Sequence, residues 1–246
     1  MIENYKEKFN NDGYFKVKNF IPKDDITKII KEINEANDVD IYKDRNNKIR
    51  RIERIYNKGE KLININIKFI KFIKKYLDLK MLIFKDKFNL KPPEGEGFGA
   101  HYDGVFHFVD SNNIKKNGWY EYGDSFLSVL LSLDASNEKN GTIEIAKSHS
   151  NNFYQLLQNT KNDGTPDLLE NVESSINFEK INLNVGDLLI FKNSCPHKSD
   201  KNNSKFNRRI LYYTYLSEEF GDQYINYFED KKLSKNKTSK SLIGQI

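Results

Sequence analysis

The feature that most constrains the fold is a succession of short apolar runs in the later two-thirds of the chain. Most runs are rich in β-branched or aromatic residues and are bounded by Gly, Asn, Asp or Pro, which is the pattern of strands joined by turns. They cover 82–91, 125–134, 141–146, 176–183, 186–193 and 208–216. Many short strands after a helical segment predict a β-sandwich or barrel with helices packed on it.

The first third of the chain indicates a mixed, largely helical layer. A turn signal leads into a short strand candidate within 9–20, and a helix is expected to open at Pro22. Apolar residues in this helix recur at the spacing of a buried stripe, at Ile26, Ile29, Ile30 and Ile33. The segment 61–79 is ambiguous, because its start alternates like a strand and its second half has helical spacing. We expect a helix over that second half.

The chain contains no internal repeat and no linker rich in Pro, Gly or Ser, so we expect its 246 residues to form one domain. Within it, a mixed helical layer would occupy 1–80 and a strand-rich core 82–217. A polar tail rich in Lys and Ser covers 230–246, which is typical of a mobile terminus.

Composition excludes several classes of protein. A hydrophobic fraction of 37%, with 13% aromatic residues, is sufficient for a sizeable core. No run approaches the ~20 apolar residues that span a bilayer, and the start shows no signal-peptide pattern. Cys195 is the only cysteine, which excludes an internal disulfide framework and a cysteine-ligated iron–sulfur cluster. These features favour a cytoplasmic location.

The positive charge of the chain does not indicate a nucleic-acid partner. Lys and Arg total 40 against 35 Asp and Glu, and acidic residues are interleaved with lysine almost everywhere. A nucleic-acid-binding surface would instead gather one sign of charge on one face. We expect a small-molecule substrate, with neither nucleic acid nor membrane as a partner, and a monomer or homodimer.

Two of the four histidines, together with one aspartate, suggest a metal site. His101 and Asp103 are two residues apart, on the same side of an extended segment, and His197 follows the strand candidate 186–193. Two imidazoles and one carboxylate on one face of an octahedral ion leave three positions open, as in non-haem Fe(II) oxygenases. A zinc site that uses Cys195 and His197 is the alternative, although no second cysteine supports it.

Two residues downstream of His197 could bind an acidic cosubstrate. Arg208 opens a strand candidate, and its guanidinium could bind a carboxylate through two hydrogen bonds, with the Ser199 hydroxyl alongside. Arg209 is the alternative, because alternation along a strand lets only one of the two arginines point inward.

Four segments resemble, in chain order, the phytanoyl-CoA dioxygenase-like family of Fe(II)/2-oxoglutarate-dependent oxygenases. They are FNNDGYFKVKNFIPKDDITKIIKEI, KFNLKPPEGEGFGAHYDG, LSLDASNEKNGTIEIAKSHS and GDLLIFKNSCPHKSDKNNSKFNRRILYYTY. The resemblance covers nearly the whole chain. It implies a double-stranded β-helix, a cupin-like jelly-roll barrel, with an all-β core and N-terminal helices packed on it.

The resemblance also implies a cofactor set, with His101, Asp103 and His197 as ligands of Fe(II) and with 2-oxoglutarate and O₂ as cosubstrates. Asp103 favours hydroxylation, because halogenating relatives replace this carboxylate with a small residue.

The resemblance also implies roles for four further residues. Arg208 would pair with the distal carboxylate of 2-oxoglutarate, and Ser199 would support it. Asn89 matches a position that contacts the cosubstrate in some relatives. His107 occupies a position where relatives often carry an aromatic residue that faces the pocket.

Lys85, Lys87, Asn89 and Lys91 alternate along one predicted strand and therefore share one face. We expect at least two of these lysines to face solvent. If the face lines the barrel instead, a lysine could bind an anionic cosubstrate or substrate. The aromatic residues of the loop 110–124 would form either a substrate lid or a plug against the helices.

The expected activity is hydroxylation of an unactivated C–H bond of a small polar metabolite, with succinate and CO₂ as coproducts. The same metal centre could direct desaturation, epimerisation or cyclisation. A non-catalytic jelly-roll binding module would show no iron affinity, and a cupin-like zinc or manganese enzyme would not use 2-oxoglutarate.

Overall fold

A computed structural model describes residues 4–110 and 112–235, with side chains up to residue 233. The helices are α1 (Tyr5–Asn11), α2 (Lys23–Glu35), α3 (Glu60–Leu77), α4 (Phe153–Leu157), α5 (Glu170–Ser175) and α6 (Tyr224–Lys235). The strands are β1 (Tyr14–Val17), β2 (Asp40–Lys43), β3 (Ile49–Glu53), β4 (Met81–Lys91), β5 (Phe98–His101), β6 (Phe108–Val109), β7 (Lys115–Lys116), β8 (Phe126–Ser132), β9 (Ile143–Ile145), β10 (Glu179–Ile181), β11 (Leu188–Lys192), β12 (His197–Ser199) and β13 (Arg208–Ser217).

Two antiparallel sheets make up the core. The larger sheet has the order β1-β11-β8-β13-β4-β3-β2, and the smaller has the order β10-β9-β12-β5. Strands that are distant in sequence lie side by side in both sheets, as in the Greek-key connections of a jelly roll. This arrangement agrees with the fold class expected from the sequence.

Alternation along β4 and β13 separates an apolar outer face of the larger sheet from a polar inner face. The two strands are antiparallel neighbours, with Arg208 opposite Lys91 and Thr214 opposite Lys85. Their outward side chains pack beneath the helices and include Phe84, Phe88, Leu211, Tyr213 and Tyr215. The intervening residues therefore point toward the smaller sheet.

The apolar core has two main parts. The larger part joins the helices to the outer face of the larger sheet, and its helical members include Ile29, Ile33, Leu62, Phe69, Ile73 and Phe228. The smaller part lies between the sheets and includes Leu130, Ile143, Ile145, Leu189, Phe191 and Ile210. The Phe191 ring contacts the His197 ring, with 5.1 Å between centroids, so the inner core ends at the predicted metal ligands.

Helix α3 is longer than the sequence pattern predicted, because the strand-like start of 61–79 is also helical. Its buried stripe consists of Leu62, Ile65, Phe69, Ile73 and Leu77. Ile63 and Ile67, which suggested a strand, are 42% and 43% exposed on the opposite side of the helix. Asn66 accepts a hydrogen bond of 2.8 Å from the Tyr215 hydroxyl, so its polar group is satisfied at the helix–sheet interface.

The expected polar tail begins inside a helix. Residues 230–235 form the end of α6, which also contributes Tyr227 and Phe228 to the core. Tyr224, at the start of α6, donates a 2.7 Å hydrogen bond to the buried carboxylate of Asp86. The rest of the predicted tail, 236–246, lies outside the described residues.

Replacement of Phe69 with Ala tests the assignment of the α3 stripe. Phe69 is 1% exposed and its ring contacts those of Phe20 and Tyr213, so the loss of this side chain leaves a cavity. We expect the free energy of unfolding to fall by about 3–5 kcal/mol, measured by urea denaturation. Ile67→Ala on the exposed face is the matched control and should change it by less than about 0.5 kcal/mol. Equal losses in both variants would contradict the assignment.

Candidate metal centre and cosubstrate pocket

Pairing between β5 and β12 brings three potential metal ligands together. His101 ends β5 and lies directly opposite His197, which begins β12. Asp103 follows two residues after His101, and one ligand atom from each of the three residues lies within 4.8 Å of the others. The imidazole centroids are 4.3 Å apart, and His197 Nε2 is 4.0 Å from Asp103 Oδ2. Three donors at this spacing can share one ion.

The backbone holds both imidazoles in the tautomer that a metal ion requires. His101 Nδ1 lies 2.7 Å from the Gly99 carbonyl oxygen, and His197 Nδ1 lies 3.1 Å from that of Cys195. A carbonyl accepts only, so each Nδ1 carries the proton and donates it. Each Nε2 is left with a lone pair that can bind a metal ion. The hydrogen bond from Nδ1 to the backbone fixes the orientation of each ring.

The ionisation states of the three side chains also suit a metal ion. Burial, followed by the neighbouring His101, lowers the pKa of His197 to about 4, so its imidazole is neutral at pH 7. Burial opposes ionisation of Asp103, but the positive charge of Lys87 and the nearby imidazoles outweigh it and lower the pKa of Asp103. The Ser128 hydroxyl donates a 3.3 Å hydrogen bond to the same carboxylate.

Arg208 lies in a small polar pocket beside these ligands. The pocket has a volume of about 40 Å³, and its lining includes Asn89, His197, Ser199 and Arg208. Arg208 is 2% exposed, and its Nε has no hydrogen-bond partner among the described residues. Buried polar atoms normally have a partner. A carboxylate such as that of 2-oxoglutarate would satisfy this Nε, so the pocket and the three ligands together fit the iron and cosubstrate pair.

Arg209 cannot share this role, because it points to the opposite side of β13. Its Nε and Nη2 each donate a 2.8 Å hydrogen bond to the carboxylate of Asp134. The structure therefore favours Arg208 over the alternative that the sequence left open.

Lys91 and Arg51 support the pocket. The sequence reasoning considered Lys91 only as one of the alternating lysines of a strand, and it missed Arg51. Lys91 donates a 2.8 Å hydrogen bond to Ser199 Oγ and a second to the Asp200 carbonyl oxygen. Arg51 on β3 donates from Nε to Asn89 Oδ1 at 3.2 Å. Arginine is rare in this lysine-rich chain, and that rarity was the available signal for Arg51.

The structure places the His107 side chain away from the pocket of Arg208. Its Nδ1 lies 3.3 Å from the Lys116 carbonyl oxygen, and its ring packs on Phe153 at 5.6 Å. Its two chain neighbours, Phe106 and Phe108, line the large cavity described below, whereas His107 lines neither that cavity nor the pocket. Successive side chains of an extended segment point to opposite sides, so a neighbour faces the cavity instead.

The expectation that at least two lysines of β4 face solvent is wrong. Lys85 and Lys91 are 8% and 1% exposed, and Lys87 lines both the large cavity and the pocket. The outer face of β4 carries Phe84 and Phe88, which the helices cover, so the lysine face is the inner one.

A second, larger cavity opens on the other side of the metal ligands. Its volume is about 380 Å³, and its polar lining includes His101, Asp103, Lys85 and Lys87. Aromatic side chains form much of the remaining wall, namely Phe98, Phe106, Phe108, Trp119, Tyr122 and Tyr227. A cavity of this size accommodates a small molecule.

The aromatic loop packs against the larger sheet and also lines the large cavity. Trp119 is 3% exposed and packs on Phe84 and Phe126, as a plug would. Trp119 and Tyr122 also line the large cavity, and the Tyr122 hydroxyl donates a 2.8 Å hydrogen bond to Asp230 of α6. The loop and α6 thus cover the cavity together.

Cys195 does not take part in the candidate metal site. Its side chain is fully buried, and burial raises the pKa of the thiol to about 12, which disfavours the thiolate that zinc requires. The residues within ligand distance of one another are His101, Asp103 and His197.

A jelly roll that combines two histidines and one carboxylate with a carboxylate-binding arginine defines the class of Fe(II)/2-oxoglutarate oxygenases. The chain belongs to one family within this class, the phytanoyl-CoA dioxygenase (PhyH) family, whose model matches residues 9–210.

Curated relatives of the chain act on phosphonates according to their names. The chain is 27% identical to a 2-aminoethylphosphonate dioxygenase of an uncultured bacterium (HF130_AEPn_1), over 72% of this chain and 62% of that protein. It is also 27% identical to a methylphosphonate hydroxylase of Gimesia maris, over 62% of this chain and 52% of that protein. The chain thus matches less than two thirds of the length of these relatives.

Solved structures show the same fold. EctD from S. alaskensis, solved with 2-oxoglutarate and 5-hydroxyectoine, superposes with a TM-score of 0.69 at 18% identity, covering 89% of this chain and 77% of that one. The jelly-roll fold and the family are therefore confirmed. The epimerase SnoN, solved in complex with Fe³⁺ and α-ketoglutarate, has a TM-score of 0.66 at 14% identity, covering 87% of this chain and 83% of that one.

Removal of the carboxylate in Asp103→Ala should abolish stable iron binding. The loss should exceed the roughly 10–100-fold that is typical when an outer partner of a metal ligand is removed. Iron content after anaerobic loading and desalting measures this effect. Asp124→Ala, at an exposed position before β8, is the control and should retain the parent iron content. Full iron retention in Asp103→Ala would exclude Asp103 as a ligand.

Arg208→Ala should weaken 2-oxoglutarate binding about 10–100-fold, because a charged pair of hydrogen bonds is lost, and should leave iron binding intact. Anaerobic titration of the iron-loaded protein with 2-oxoglutarate, followed by its visible charge-transfer band, gives the dissociation constant. Arg209→Ala should match the parent. The reverse pattern would assign the carboxylate to Arg209.

Proposed function

We propose that this chain hydroxylates a C–H bond of a small polar metabolite, with 2-oxoglutarate and O₂ as cosubstrates and succinate and CO₂ as coproducts. A short-chain phosphonate is the substrate class that its curated relatives suggest.

The observation that carries this proposal is the position of the ligand set between two cavities. His101 borders both the pocket of Arg208 and the large cavity. His197 borders the pocket, whereas Asp103 borders the large cavity. An ion at this point would meet a cosubstrate on one side and a substrate on the other.

The residues around the site have distinct tasks in this reaction. Iron held by His101, Asp103 and His197 would supply, together with 2-oxoglutarate and O₂, the oxidising power for an unactivated C–H bond. Arg208 and Ser199 would fix the distal carboxylate of the cosubstrate. Lys91 orients Ser199 through its 2.8 Å hydrogen bond.

The protein also limits access of water to the substrate. The aromatic wall of the large cavity and its cover of loop and α6 give the reacting carbon an apolar setting, which prevents side reactions of a strong oxidant. The cations on its strand wall would bind a negatively charged end of the substrate.

Location and assembly stay predictions. Within residues 4–110 and 112–235, no helix combines the length and apolar character that crossing a bilayer requires. The proposed setting remains the cytoplasm, and the proposed assembly remains a monomer or homodimer.

A substrate screen tests the proposed function. The iron-loaded protein is incubated with 2-oxoglutarate, O₂ and either short alkyl- and aminoalkylphosphonates or the matching carboxylates, and succinate is measured. We expect a phosphonate to increase succinate formation at least about tenfold over the substrate-free rate, because a bound substrate couples the oxidation.

Mass spectrometry of the product then defines the reaction. A gain of one oxygen atom, labelled from ¹⁸O₂, supports hydroxylation. A loss of two hydrogens or an unchanged mass with inverted configuration would contradict hydroxylation and indicate desaturation or epimerisation. A parent protein without a charge-transfer band at saturating 2-oxoglutarate would contradict the oxygenase assignment itself.

A further inference from the structure

The strand wall of the large cavity carries three neighbouring cations. Arg51 lies on β3, and Lys85 and Lys87 lie on the inner face of the adjacent strand β4. Lys87 lines both the pocket of Arg208 and the large cavity, whereas Lys85 lines the large cavity alone. The inner face of β4 thus runs from the cosubstrate side, at Lys91, to the substrate side, at Lys85.

Lys85 differs from Lys91 and Lys231 in its contacts. Its ammonium group lies over the rings of Trp119 and Tyr227, at 5.1 and 5.4 Å from their centroids. Within residues 4–110 and 112–233, no hydrogen bond or ion pair joins it to another side chain or to the backbone. Lys91, which is buried to a similar extent, has three hydrogen-bond acceptors, and Lys231 pairs with Glu53. Lys85 is therefore held in place without an anionic or polar contact.

The charges around Lys85 leave a surplus of positive charge on this wall. Glu53, beside it, binds Lys231 through one carboxylate oxygen, and its other oxygen lies 3.7 Å from Arg51. Asp103 is a candidate metal ligand, so an ion would use its charge. Asp86, the next residue along β4, lies near Lys85 but accepts hydrogen bonds from Tyr224 and from the backbone of Ile55 and Tyr56. Glu53 is thus the carboxylate that remains for four cations, Arg51, Lys85, Lys87 and Lys231.

The acidic residues of the large cavity belong to other segments. Asp163 accepts hydrogen bonds from Thr165 within its own loop, and Asp230 accepts one from Tyr122. Asp167 lies in the same loop region as Asp163. The strand wall itself is cationic.

We propose that Lys85 is the substrate-binding residue of this site and that its ammonium group binds an oxyanion of the substrate, with Lys87 alongside. This assignment rests on the proposed function, because it uses the large cavity as the substrate site. An anion at Lys85 would point the rest of a short substrate along the inner face of β4 toward His101 and Asp103. Lys85 would then determine specificity for small anionic substrates.

Burial of these lysines is consistent with such a ligand. Desolvation lowers the pKa of Lys85, and it lowers the pKa of Lys87 to about 7. A bound anion favours the charged form of a nearby lysine and offsets this effect.

Lys85→Met tests the proposal, since methionine keeps much of the side-chain volume and removes the charge. Anaerobic calorimetric titrations of the iron- and 2-oxoglutarate-loaded enzyme use methylphosphonate and acetate as probes, which separate a tetrahedral oxyanion from a carboxylate. We expect Lys85→Met to weaken binding of the tighter probe at least about tenfold, and Lys85→Arg to restore part of it.

Lys80→Met is the matched control. Lys80 lies one residue before β4, is 66% exposed and pairs with Glu218 at 2.9 Å on the surface, so its variant should bind the probe as the parent does. The charge-transfer band with iron and 2-oxoglutarate should be unchanged in all variants, which shows that the fold and the metal centre are intact.

The proposal is wrong if Lys85→Met binds the probe as tightly as the parent, or if the parent binds neither probe. If the Lys85→Met variant does not form the charge-transfer band, its fold or metal centre is disturbed, and the Lys85→Gln variant is used in the same titration. A parent enzyme that lacks the band contradicts the proposed function instead, so the two failures are distinguishable.

Discussion

The antiparallel pairing of β5 with β12 is the constraint on which the candidate site depends. It places His101 opposite His197 and leaves Asp103 just beyond the strand end. A shift of one residue in this register would turn His197 to the other face of the smaller sheet. The same short strand β12 carries Ser199, so the register that sets the candidate metal ligands also sets the pocket of Arg208.

The inner face of β4 is costly to bury, and this cost has an evident use. Ammonium groups lose hydration in the interior, and a fold selected for stability alone would place apolar residues there. Lys91 is compensated by the backbone and Ser199, and it supports the pocket of Arg208. Lys85 and Lys87 have aromatic rings beside them, which attract cations only weakly. This face therefore supplies positive charge that Glu53 balances only in part.

Local patterns in the sequence predicted the strands of the core and the pairing of His101 with Asp103, because both depend on neighbouring residues. His197 joins them only through long-range strand pairing, and the family resemblance was needed to support it. Alternation showed that the lysines of β4 share a face but could not show which face is inside. Exposed Ile63 and Ile67 gave α3 a strand-like start, and the side of the chain that His107 occupies depends on its packing with Phe153.

Helix α6 makes the substrate side of the site dependent on a segment outside the jelly roll. The candidate metal ligands and Arg208 lie on or beside strands of the core, whereas Tyr227 and Lys231, which line the large cavity, belong to α6. Tyr224 joins this helix to β4 through its hydrogen bond to Asp86. Undocking of α6 would open the large cavity to solvent, so retention of a substrate depends on a helix that carries none of the candidate metal ligands.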